Sequence, residues 1–83
     1  MSNPFRDWRE KRGLSRTEMA VLLNLSVSHI QAIETGMPNR PFKKFVRNLA
    51  AIAGPDLADQ LVADYATWRE AQRAQTLEKI RTN

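Results

Sequence analysis

Apolar residues recur along this chain three and four positions apart rather than in the alternation of a half-buried strand, so the pattern predicts helices throughout. Phe5 and Trp8 face inward from a first helix, which Asn3 can cap, Pro4 can open and Gly13 ends just after Arg12. Met19, Ala20 and Leu23 mark a second helix over about Arg16 to Leu23, and Ile30 and Ile33 a third over about Val27 to Thr35. Two prolines make Gly36-Met37-Pro38-Asn39-Arg40-Pro41 a loop, and Phe45, Leu49 and Ile52 face inward from a fourth helix over about Phe42 to Ala53. After the break at Gly54-Pro55, proline at a first helical position, with Asp56 and Asp59 in the first turns, opens a long fifth helix reaching about Ile80. The expected fold is an all-α bundle of four to five helices with a long C-terminal helix, without internal repeats.

The punctuation between the second and third helices is the most specific local signal. Ser15 can accept a bond from the Glu18 N–H while Glu18 reaches back, a capping box that fixes a helix start. Asn24 tolerates positive φ and can turn the chain sharply before a second cap at Ser26, and Gly36 ends the third helix. Two short capped helices joined by a tight turn share a core on one face and leave the others outward, the layout of a DNA-reading device.

Charge sharpens this. Of the 83 residues, 1 to 54 carry nine Lys/Arg against four Asp/Glu, whereas 55 to 83 carry four against five. The composition shifts at Gly54-Pro55, which divides the chain into a basic unit, 1 to 54, and a C-terminal helix, 55 to 83. A basic surplus attracts phosphate irrespective of sequence and makes affinity fall with salt. The absence of cysteine excludes disulfides, thiolate zinc sites and cysteine nucleophiles. No apolar run approaches the roughly 20 residues of a membrane span, and Met1-Ser2-Asn3-Pro4 lacks a signal-peptide layout, so a cytoplasmic protein is expected. His29 is the sole histidine, which leaves a metal site without partners, and Ser15, Ser26 and Ser28 lack the histidine-carboxylate pair of a nucleophile. Neither enzyme activity nor a metal or cofactor is expected.

From about residue 5 to residue 53 the chain resembles the Cro/cI-like (XRE-type) helix-turn-helix family of phage and bacterial repressors. The resemblance rests on Arg9, Gly13-x-Ser15, Glu18-x-Ala20, the Ser26 cap, Ile30-x-x-Ile33-Glu34-x-Gly36 and Arg40-Pro41. It implies a lambda-repressor-like bundle that binds double-stranded DNA as a homodimer, with the third helix in the major groove and half-sites about one helical turn apart. It also implies a largely buried Arg9 and Glu34 ion pair. Carried over residue by residue, the base-reading positions are Val27, Ser28, Gln31 and Ala32. Relatives often place glutamine or arginine at the first of these; Val27 and Ala32 can only meet a thymine methyl, so A·T-rich contacts or shape readout are expected. Phosphate contacts are expected from Arg16, His29, Asn39, Arg40, Lys43 and Lys44, although Lys43 and Lys44 also suit a solvated helix start. Phe42 stands where some relatives place an arginine near the minor groove, so that contact is lost or passes to Lys43.

Two apolar groups remain. Leu22, Leu25 and Val27 cluster on or near the surface of the second and third helices. In the tail, Leu57, Leu61, Tyr65 and Trp68 follow three-to-four spacing, which Leu77 and Ile80 resume. A helix of about 25 residues spans roughly 37 Å, beyond the reach of so small a bundle, and dimerisation through Leu57, Leu61, Tyr65 and Trp68 is the favoured expectation. The alternative places Leu57, Leu61 and Tyr65 in the monomer core with Gln72 onward frayed. The sequence thus points to a repressor; the other reading of the same domain is an antitoxin or phage accessory factor whose tail binds a partner protein.

Overall fold

Asn3 shows how local sequence becomes tertiary structure. Its Oδ1 accepts the N–H groups of Phe5 and Arg6 at 3.0 and 3.1 Å, capping helix α1 (Pro4–Lys11). Its Nδ2 donates to the carbonyls of Ile33 and Glu34 at 2.9 and 3.1 Å, satisfying the end of helix α3 (Val27–Thr35). One buried amide with all its bonds made thus ties the start of α1 to the end of α3, and an unmet group there would cost about 1 to 3 kcal/mol.

The computed structural model describes residues 2–81. Helix α2 (Arg16–Leu23) opens with the capping box, Glu18 N–H donating to Ser15 Oγ at 3.0 Å and Ser15 N–H to the Glu18 carboxylate at 2.9 Å. The bond from the Ser15 backbone, followed by that from its side chain, holds the Glu18 carboxyl below its ordinary range. Asn24 takes the left-handed conformation, φ 54° and ψ 47°, and turns the chain into the Ser26 cap of α3. Helices α4 (Lys43–Ala53) and α5 (Pro55–Arg81) complete the all-α bundle. Asn48 on α4 donates to the Leu23 carbonyl at 2.7 Å and closes the end of α2.

Phe5, Met19, Leu23, Ile30, Ile33, Phe45 and Leu49 fill the core, with Phe5 edge-on to Phe45 at 5.0 Å between centroids. Trp8 packs half-buried against it, under the Arg12 guanidinium at 5.3 Å. Two expectations fail on α4. It begins at Lys43, with Phe42 in the cap position, where its side chain can accept no bond, and Ile52 is 51% exposed. Phe45, Leu49 and Ala53 advance by four, so Ala53 follows the core face while Ile52 swings away.

The larger correction concerns α5. Leu61, Tyr65 and Trp68, expected as a dimer surface with Leu57, are 7, 0 and 8% exposed within the single chain, and Leu57 packs half-buried beside them. Tyr65 lies 5.7 Å from Phe5 and 5.6 Å from Trp68 between centroids. Spacing of four and three residues sets these side chains on one stripe, and α1 and α4 offer a trough for it. The break at Gly54-Pro55 therefore divides composition but not the core, which runs from Phe5 to Trp68. Beyond Arg69 the helix leaves the bundle; its 27 residues span about 40 Å, and the molecule measures 45 × 24 × 22 Å. No helix among the described residues is long and apolar enough to cross a membrane.

Candidate nucleic-acid interface

The outer face of α3 is what remains once Ile30 and Ile33 turn inward. It presents Val27, 40% exposed, with Ser28 and Gln31 exposed and Ala32 half-buried beside them. Ser26 Oγ accepts the His29 N–H at 3.1 Å, so the helix starts firmly and the side chains nearest its N-terminus have fixed directions. This face offers one hydroxyl, one amide and two small apolar groups, which can meet base edges in a major groove.

Beneath it lies an ionic network that the sequence shows only in part. Arg9 Nε and Nη2 donate to the two Glu34 oxygens at 2.7 and 3.0 Å, and Arg9 Nη1 donates to the Leu14 carbonyl at 2.7 Å. The hydrogen bond to Glu34 raises the Arg9 pKa above its ordinary value. Arg16 Nε adds a third bond, to Glu34 Oε1 at 3.1 Å. The Arg9 and Glu34 side chains are 9 and 2% exposed, that of Arg16 45%. A buried carboxylate on α3 thus pulls together the start of α2 and the body of α1, and holds the Arg16 guanidinium by its Nε while the side chain stays half-exposed.

On the other flank, Asn39, Arg40, Lys43 and Lys44 are exposed. Lys43 and Lys44 occupy the first turn of α4, which holds no acidic residue and no side-chain cap. Cations there oppose the helix dipole, an arrangement that an incoming phosphate relieves. His29 departs from this group. Its ring lies edge-on to Phe42 at 4.4 Å and stacked on Phe45 at 6.1 Å, and its buried Nε2 has no hydrogen-bond partner among the described residues. Burial, then the Lys44 charge, lowers its pKa. With its ring wedged against two phenylalanines and its Nε2 buried, His29 does not reach out as a phosphate contact, so its expected role is corrected: aromatic packing between α3 and α4 displaces it. The other side of that wedge explains Phe42, whose ring is engaged by His29.

A family model described as a helix-turn-helix domain matches residues 4–62. The chain belongs to the helix-turn-helix family. No curated protein and no solved structure matches it. Helix α2, the Asn24 turn and helix α3 are the helix-turn-helix itself, and the protein is a DNA-binding regulator in general character.

Several contacts supporting the helix-turn-helix escaped the sequence. The bonds from Asn3 to α3, from Arg16 to Glu34 and from Asn48 to Leu23 join residues 18 to 31 positions apart, and no local rule connects such pairs. Arg16 alone carried a signal, a cation at the start of α2 beside a carboxylate already assigned to Arg9. Of the apolar cluster around α2, Leu25 packs on the core while Leu22 stays exposed with Val21, where Leu14, Thr17, Glu18, Val21 and Leu22 line a shallow recess of 340 Å³.

Proposed function

We propose that this helix-turn-helix protein is a transcriptional repressor that binds a palindromic operator as a homodimer and acts by blocking polymerase access. Support comes first from the outward face of α3, where Val27, Ser28 and Gln31 stand exposed between the cationic flanks of Arg16 on one side and Arg40, Lys43 and Lys44 on the other. In this reading Val27, Ser28, Gln31 and Ala32 read bases, and Arg16, Asn39, Arg40, Lys43 and Lys44 hold phosphates. The polar-poor reader favours sites where thymine methyls or groove shape carry part of the discrimination.

Since the first half of α5 is spent on the core, the dimer contact falls to its projecting half, where Ile80 is 72% exposed and Leu77 half-buried. That same projecting helix supports the second reading, a DNA-binding antitoxin or accessory factor whose C-terminal helix grips a partner protein, with control supplied by that partner. The cytoplasm is the proposed location, where the DNA is.

Substitution separates the two kinds of DNA contact. Gln31→Ala is expected to change base preference by about 1 to 3 kcal/mol at one position, whereas Arg40→Ala weakens binding to every duplex and lowers the salt slope by about one. Fluorescence anisotropy on a panel of duplexes at several salt concentrations measures both; parallel losses from the two variants would sink the assignment.

A further inference from the structure

The loop between α3 and α4 is held from outside the matched domain. Gly36 ends α3 in the left-handed conformation, φ 77°, and the Trp68 ring covers it so closely that a Cβ there would lie 2.7 Å from two ring carbons. Arg69 Nε donates to the Gly36 carbonyl at 3.0 Å, and Tyr65 Oη donates to the Pro38 carbonyl at 2.8 Å. Tyr65, Trp68 and Arg69 sit at positions i, i+3 and i+4 of α5, so one helical face grips both ends of the turn Gly36-Met37-Pro38. The loop's own backbone contributes the Met37 N–H to the Ala32 carbonyl at 3.1 Å. All three gripping residues lie beyond residue 62, where the family match ends.

We propose that Tyr65, Trp68 and Arg69 are positioning residues for DNA binding: from α5 they hold the turn after the recognition helix in the shape that presents Asn39 and Arg40 to a phosphate. This rests on the reading of Asn39 and Arg40 as phosphate contacts. The physical advantage is preorganisation. A loop fixed before DNA arrives loses little freedom on binding, whereas a released loop must be ordered at the cost of affinity. Because phosphate contacts carry no base information, the loss falls equally on every sequence. Tyr65 is suited to the test because phenylalanine keeps the buried ring and removes only the hydroxyl.

The experiment compares full-length wild type with Tyr65→Phe, Arg69→Met and Arg40→Ala on a duplex of arbitrary sequence at two salt concentrations, with melting temperature and amide hydrogen exchange measured alongside. Tyr65→Phe and Arg69→Met are expected each to weaken binding about three- to tenfold, as loss of one net hydrogen bond implies. Base preference stays unchanged, and the Met37 amide exchanges faster while those of the α3 and α4 interiors do not. Tyr65→Phe carries no charge change, so its effect cannot be an electrostatic loss; should it unfold the chain, the surface variant Arg69→Met still reports loop exchange. Wild-type affinity and loop protection in both variants, with Arg40→Ala weakened, would overturn the proposal alone. An Arg40→Ala protein that binds like wild type would instead remove the phosphate role of the loop, and the proposal with it.

Discussion

Glu34 ties three helices together through one buried carboxylate. It is nearly fully buried, takes two bonds from Arg9 and one from Arg16, and sits on the helix proposed to face DNA. Burial of such a pair costs desolvation, so its presence is no measure of net stabilisation; its disruption is a different matter. Glu34→Gln strands the buried Arg9 guanidinium and is expected to lower unfolding free energy by about 3 to 5 kcal/mol in urea titration. Arg16→Met, which removes a half-exposed partner, is expected to cost about 1 kcal/mol or less. Equal costs would mean that the network is solvated throughout. His29 supplies a pH dependence of definite sign. Its pKa in the folded chain is depressed from 6.5, so the unfolded chain binds the proton more readily; stability is full above that value and declines as pH falls through it toward the folded pKa. Thermal melts at about pH 7.5 and about pH 5 are expected to show that decline in wild type and a smaller one in His29→Phe.

At the scale of elements, α5 has two halves with different work. Its first half closes the core, so Trp68→Ala is expected to cost about 3 to 5 kcal/mol of monomer stability, as removal of a large buried aromatic does. Circular dichroism melts at a concentration where the chain is monomeric check this; unchanged stability with weakened self-association would return Trp68 to a dimer surface. The helices themselves were legible in the sequence because their signals are local: Ser15 with Glu18, Asn24, Ser26 and Pro55 act within a few residues of where they stand. The use of α5 was not legible in the same way. Leu57, Leu61, Tyr65 and Trp68 show the same stripe whether it lands on this chain or on another, and only the trough between α1 and α4 decides. His29 is a similar case: a histidine on a basic surface and a histidine between two phenylalanines have the same neighbours in sequence.

For the molecule as a whole, the proposed function rests on a small helix-turn-helix bundle that presents one exposed helical face together with exposed cations on the neighbouring segments. The candidate reading residues were legible through register alone, since Ile30, Ile33 and Glu34 fix which side of α3 faces inward. What lay beyond sequence was the support behind that face, because it depends on Asn3, Arg9 of α1 and Arg69 of α5 converging on the C-terminal end of α3. In the proposed reading, the projecting half of α5 governs how copies combine on DNA. The most direct test is selection of random duplex DNA by the purified protein at two salt concentrations, run in parallel with a Leu77→Glu, Ile80→Glu variant. The account predicts a palindromic consensus that survives the higher salt in wild type and a single half-site of lower affinity in the variant. Salt-sensitive recovery of unrelated sequences by both proteins would contradict it.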